Sequence, residues 1–292
     1  MDYFYFIKAE EEEDRGPPSI AIVDNKSGMI KSAVLKQKGV EEWSVKVVKK
    51  FFESLGYKKI ICRTDNENSI MALRSEVKNR SHIEIVPEQP PAYDSKTGGK
   101  AENAVQRIEK QFVVIRDALQ TRLGEKIESG HPIIEFLVLH TSDVLNRYHV
   151  GADGRTSYQR WKGRHFKRVV PEFGEKVLYL PLKGASERTS KGDCKWQYAI
   201  WLGVIDRTDE CLMGTSRGVV KARSVRRLDQ ELWWDAESVA GMKGTPWEPV
   251  PGHKLFVIPV SITASGTVDH EDVETMQAKD WLDIADEVPD VT

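Results

Sequence analysis

Lys58-Lys-Ile-Ile-Cys-Arg-Thr-Asp-Asn66 is a short apolar run that ends in an acid. Such a run, entered after a helix, is the pattern of a buried parallel strand. Upstream, Val40 to Leu55 sets Trp43, Val47, Val48, Phe51 and Leu55 on one helical face, and Gly56 stands where a C′ glycine ends the helix. Further upstream, residues 2–8, 19–24 and 29–36 are strand-like and are broken by Gly16-Pro17-Pro18 and by the turn from Asn25 to Gly28. Three such runs predict an antiparallel meander. Downstream, 66–79 reads as a helix, 82–86 as a fifth strand, and 87–99, with Pro90-Pro91 and Gly98-Gly99, as a loop. Lys100 to Lys126 then carries Ala101, Val105, Ile108, Phe112, Ile115 and Leu119 at helical spacing, and Pro132 to Tyr148 forms another helix. The order β-β-β-α-β-α-β-α-α predicts an α/β domain over 1–163. Its five-stranded mixed sheet is expected in the order 3-2-1-4-5, flanked by helices.

From Thr156 the texture changes. Tyr158 to Trp161 reads as a short helix. Glu175–Leu182, Gln197–Ile205, Cys211–Thr215 and Val219–Val225 follow as short strands between charged and glycine-rich turns, which predicts a small SH3-like β-barrel over 164–234. Residues 235–292 read as an irregular acidic tail or linker, interrupted by the strand-like run from Lys254 to Ile262. The net charge of −2 hides a division. Residues 155–229 hold 17 Lys+Arg against 8 Asp+Glu, whereas 230–292 hold 3 against 13. A basic segment beside an acidic tail fits a chain that handles nucleic acid. Three scattered cysteines, Cys62, Cys194 and Cys211, exclude a disulfide framework and a cysteine-based zinc finger. The seven histidines show no metal-ligand spacing with them, so no zinc is expected. No run approaches the roughly 18 apolar residues of a membrane span, and no basic segment precedes an apolar one at the N-terminus. An intracellular protein, nuclear or cytoplasmic and without a membrane partner, is the expectation.

Three acids stand at telling places. Asp2 opens the first strand, Asp65 ends the fourth, and Glu102 falls in the first turn of the long helix. With strands one and four as parallel neighbours, Asp2 and Asp65 lie side by side, and a helix crossing the sheet offers Glu102 to the same point. Converging carboxylates need a cation to stay ionised, and hard oxygen ligands suit Mg²⁺ or Mn²⁺. Two such ions about 3.5–4 Å apart clamp a phosphodiester for in-line transfer.

Asp2-Tyr3, Arg63-Thr-Asp-Asn66 and Gly98-Gly-Lys-Ala-Glu102 resemble the D,D-35-E signature of retroviral-type integrase catalytic cores, members of the RNase H-like superfamily. The likeness is closer to the copia-type branch of LTR retrotransposon polyproteins. Gly154-Arg-Thr-Ser-Tyr-Gln-Arg-Trp161, Glu172-Phe-Gly-Glu-Lys-Val177 and Leu202-Gly203 are similar to later elements of that branch. The resemblance covers residues 2 to about 229. It implies Asp2, Asp65 and Glu102 as catalytic, metal-binding triad, with trimming of element DNA ends and 3′-hydroxyl attack on target DNA. It further implies a two-metal Mg²⁺ or Mn²⁺ site, DNA as partner, and a homo-oligomer as the active form. Gly98-Gly99 replaces the family's Asn-Gly, and Asn103 its usual Arg. With Asp2 so near residue 1, the expectation is a polyprotein fragment or a truncated copy.

Gln106, Arg107 and Lys110 follow Glu102 along its helix and are candidate DNA contacts. Arg160, Lys162, Arg164, Lys167, Arg168, Arg223, Arg226 and Arg227 are candidates in the basic segment, where Lys and Arg would neutralise phosphates. Asn66, Gly98 and Gly99 are expected to form an active-site loop. Two other readings stay open: a plain RNase H-like nuclease, and a degenerate, inactive copy that only binds nucleic acid.

Overall fold

A computed structural model describes residues 1–6, 16–88, 95–181, 194–205 and 208–252. Residues 253–292, with the strand-like run from Lys254, lie outside the described residues. The chain is mixed α/β. Strands β1 (Asp2–Phe4), β2 (Ser19–Val23) and β3 (Ile30–Val34) form the expected antiparallel meander, with Asp2 opposite Ala21 and Val23 opposite Ile30. Asp24 closes the β2–β3 turn by accepting from the backbone and hydroxyl of Ser27 and from the Tyr57 hydroxyl.

Helix α1 (Glu42–Ser54) starts at Glu41, whose carboxylate accepts from the Ser44 amide, and buries Trp43, Val47, Val48 and Phe51. Gly56 follows it with φ +74°, the left-handed position that only glycine adopts without strain. β4 (Lys59–Arg63), α2 (Asn68–Arg80) and β5 (Glu84–Glu88) make a parallel crossover unit, Lys59 facing Glu84 and Arg63 facing Glu88. β4 is less buried than its apolar composition predicts. Only Cys62 is buried, and Ile61 is 64% exposed. Among the described residues the first five strands pair as β1-β2-β3 and β4-β5, in place of one continuous 3-2-1-4-5 sheet. Just before β1, the Met1 ammonium donates to the Arg63 carbonyl at the end of β4, 2.9 Å.

Helix α3 runs from Ser95 to Leu123, starting earlier than predicted. Gly98 and Gly99 are therefore helical residues and not a loop hinge. Ala104, Ile108, Phe112 and Leu119 supply its buried face, enough apolar contact to outweigh the roughly 1 kcal/mol that a helical glycine costs. Helix α4 (Pro132–Tyr148) has the predicted bounds, with Pro132 in its first turn and the His131 ring accepting from the Ile133 amide. Its buried residues surround it. Ser32 donates to the Val138 carbonyl, and the Asn146 side chain both accepts from the Ile30 amide and donates to its carbonyl, at 2.8 and 2.7 Å. On another side, His140 stacks on Phe173 and meets Trp201 edge-on.

The short helix α5 (Ser157–Lys162) carries a capping box, Thr156 with Gln159, and ends at left-handed Gly163. Beyond it, β6 (Lys176–Tyr179), β7 (Gln197–Val204), β8 (Cys211–Thr215), β9 (Gly218–Ala222) and β10 (Val225–Arg227) form one antiparallel sheet in the order β10-β6-β7-β8-β9. Among the described residues no β9–β10 pairing closes this sheet into a barrel. The β9 edge is covered instead by the Pro249 carbonyl, which accepts from the Val219 amide at 2.7 Å. One face buries Val177, Ala199, Trp201, Cys211, Met213 and Ala222 as its own cluster. Ile200, Leu202, Leu212 and Val219 join the core that also holds Phe136 and Leu137 of α4, and helix α6 (Ala236–Ala240) adds Val239 to it. No described helix is long and apolar enough to cross a membrane.

Candidate active site and basic groove

The start of β1 and the end of β4 meet at the Met1–Arg63 hydrogen bond, and two of the three nominated acids flank it. Asp2 is half-buried. Burial pushes its carboxyl up; the Met1 ammonium and the Tyr3 backbone oppose this, and the negative charges of Asp65 and Glu67 push it up further. Asp65 is exposed, and its Oδ1 accepts from the Asn66 amide at 2.8 Å. Asn66, nominated for the loop, thus serves Asp65 through its backbone. Glu67 is held down by hydrogen bonds from Ser69 and Lys38, against the effect of burial. The Lys38 ammonium also lies over the Tyr3 ring at 5.4 Å, and the Tyr3 hydroxyl accepts from the Gly39 amide. Asp2 and Asp65 therefore share an anionic point bordered by one lysine.

Glu102 is exposed on α3. Two residues on, Ala104 begins the contact with Phe4, Ala21 and Ile30, so the helix crosses the β1–β2 side of the sheet. Among the described residues no three His, Cys, Asp or Glu side chains are gathered to hold a metal ion. The donor chemistry of Asp2 and Asp65 fits a hard divalent cation. The structure sets Asp2 and Asp65 on either side of the β1–β4 junction and Glu102 on the exposed flank of α3.

Beside Glu102, Gln106 and Lys110 are exposed, whereas Arg107 is half-buried and its guanidinium is pushed down by burial. The basic-segment cations divide sharply. Arg160 is spent inside the fold: its guanidinium donates to both Asp153 oxygens, to the Arg155 carbonyl and to the Ser27 carbonyl, pinning the 151–156 loop to the β2–β3 turn. Arg227 is also spent. Its Nε and Nη2 each donate at 2.7 Å to Glu175, which is 0% exposed. Lys162, Arg164 and Lys167 are exposed, Lys162 lying over the Trp161 ring.

Arg168, Arg223, Arg226 and Arg227 converge on one groove of about 420 Å³, together with Trp196 and Cys211. Arg168 donates to the Asp209 carbonyl and to Cys211 Sγ, and Arg223 Nε donates to buried Glu210 at 3.0 Å. Arg226 lies over the Trp196 ring, 4.4 Å from its centroid. Sequence reasoning named the four arginines, and Trp196 as interleaved with them but more often a core residue, and did not name Glu175 and Glu210 as the acids that fix two of them. The only signal for these acids was their position beside strand ends.

No protein-family model matches the chain, and no curated protein matches it. Among solved structures, the catalytic core domain of BIV integrase is similar at 14% identity and a TM-score of 0.38, over 51% of this chain and 88% of that one. A simian T-cell lymphotropic virus intasome, in complex with a PP2A regulatory subunit, is similar at 13% identity and a TM-score of 0.38, over 72% of each chain. The HTLV-2 integrase catalytic core, in complex with magnesium and in a trimeric form, is similar at 15% identity and a TM-score of 0.34, over 50% of this chain and 84% of that one.

Proposed function

We propose that this chain is the core of a copia-type retrotransposon integrase, a polynucleotidyl transferase that processes element DNA 3′ ends and joins them to target DNA. Residues 1–163 would be its RNase H-like catalytic domain, and 164–234 an SH3-like, DNA-binding one. Asp2, Asp65 and Glu102 would hold Mg²⁺ or Mn²⁺. The observation that carries the reading is that Asp2 and Asp65 flank the Met1–Arg63 hydrogen bond where β1 abuts β4, in a chain whose motifs keep the family's order. The ions would neutralise charge on the phosphate during displacement. The protein's own part is placement. The Met1–Arg63 bond fixes the Asp2 backbone against β4, and the Asn66 amide orients the Asp65 carboxylate. Gln106 and Lys110, exposed along α3 beside Glu102, would meet the DNA. DNA ends and target are the proposed partners, a homo-oligomer the working form, and the nucleus or cytoplasm its location.

A binding-only copy is the second reading, favoured by the lack, among the described residues, of three gathered His, Cys, Asp or Glu side chains. Incubation with labelled element-end DNA and Mn²⁺ separates the two. Joined products that disappear in Asp65→Asn support the transferase. Salt-sensitive DNA binding without joined products, or joining that persists in Asp65→Asn, removes it.

A further inference from the structure

The groove on the five-stranded sheet is shaped for more than a phosphate backbone. Duplex phosphates are met by protruding cations, and a duplex keeps its base faces stacked and out of reach. Here the cations line a concavity of about 420 Å³, within the range of small-ligand sites, and an indole shares its wall. Arg223 and Arg227 are anchored by Glu210 and Glu175, which are 1% and 0% exposed, so two walls are fixed before any ligand arrives. Arg168 is anchored in turn by the Asp209 carbonyl and Cys211. Among the described residues Arg226 has no such anchor. It is exposed and rests on the half-exposed Trp196 ring, as a base would. The four arginines and two buried glutamates leave the groove cationic.

We propose that this groove takes one unpaired nucleotide, its phosphate among Arg168, Arg223 and Arg226 and its base against Trp196. The proposal rests on the nucleic-acid reading above and deepens it: the second sheet recognises single-stranded DNA, an end or a frayed strand, in addition to any duplex contact. Arg226 then acts as a placeholder that slides along the base or stacks on its far side, keeping a cation over the ring system.

The test uses the whole chain and three probes: a short 5′-phosphorylated single strand, a blunt duplex of the same sequence, and dAMP against inorganic phosphate as competitors. Fluorescence anisotropy of wild type and Trp196→Ala should show single-strand affinity falling about tenfold or more and duplex affinity changing by less than about twofold, since stacking contributes to unstacked bases alone. dAMP should displace the single strand at concentrations where inorganic phosphate does not. Equal loss on both probes, no loss on either, or displacement by phosphate as effective as by dAMP overturns the unpaired-nucleotide site. Should Trp196→Ala fail to fold, Arg226→Gln, a change at an exposed side chain, reads the same discrimination. A protein that binds duplex with no such discrimination loses this site and keeps its DNA-binding reading. One that binds neither probe loses both.

Discussion

Arg227→Leu tests whether a cation nominated for DNA is instead a structural element. Arg227 gives two donors at 2.7 Å to Glu175, whose carboxylate also accepts from the Glu172 amide at 2.9 Å, its other partner among the described residues. Removing the guanidinium leaves a carboxylate that is 0% exposed with a single backbone donor. Breaking a buried pair on one side costs about 3–5 kcal/mol. Arg227 is itself 35% exposed, so solvent screens part of the attraction and the lower end of that range applies, about 3 kcal/mol. Loss of its packing on the Trp233 ring, 3.9 Å away, adds about 0.5 kcal/mol. The assay is urea unfolding followed by far-UV circular dichroism, with the midpoint expected to fall at unchanged slope. Adding Glu175→Gln should recover a substantial part of the loss, because the residual cost is that of an ionised group. An unchanged midpoint together with a collapse of DNA affinity would refute the reasoning and return Arg227 to the DNA-contacting set.

Asn146→Ala removes both hydrogen bonds to Ile30 and leaves its amide and carbonyl unpaired inside the α4–β3 contact. The expected loss is about 2–6 kcal/mol by the same unfolding assay, at about 1–3 kcal/mol for each of the two unsatisfied groups. Glu135 on α4 has its carboxyl pushed up by burial to about 8, and its Oε2 has no hydrogen-bond partner among the described residues. An acid raised in the folded state binds its proton there and releases it on unfolding. Stability from this group is therefore whole below about pH 4.5 and lost as pH rises toward about 8, with a slope near 1.4 kcal/mol per unit for one proton. Glu135→Gln should flatten the thermal-stability profile across that window; an unchanged profile would show that Glu135 ionises freely in the folded chain.

What was readable in the sequence, and what was not, divides along the range of the interactions involved. Helix α4 and strand β8 fell within their predicted bounds because their signals are local: Pro132 after a capping His131 starts the helix, and turn residues bracket Cys211–Thr215. Gly174 in the Glu172-Phe-Gly-Glu motif has a reason the motif alone does not state. Its φ is +84°, and a Cβ there would stand 2.4 Å from Leu119 Cδ1, so α3 packs directly against its backbone. Lateral pairing left no such trace. KIICR is apolar enough for a central strand, yet Ile61 is exposed because nothing among the described residues packs on that face. The place of Glu102 was legible only in part. Periodicity places it on the exposed flank of α3, but only the helix's start and its angle across the sheet decide which strand end it reaches, and that start lies seven residues before it.

The basic segment shows most clearly why composition alone misassigns function. Its surplus of positive charge suggested a row of equivalent phosphate contacts, whereas the structure splits the cations by what each one is already bound to. Arg160 and Arg227 have their donors directed at Asp153 and Glu175 and act as internal ties. Arg168 and Arg223 are anchored on one side and open on the other, so they can present a charge at a fixed position. Arg226 and Lys162 rest on tryptophan rings, and Arg164 and Lys167 are exposed. A tied arginine contributes shape, and a solvated lysine contributes affinity that salt screens away. The half-anchored Arg168 and Arg223 can do both; with Arg226 on Trp196 they would form the proposed nucleotide site, while Arg227 ties down the wall beside them.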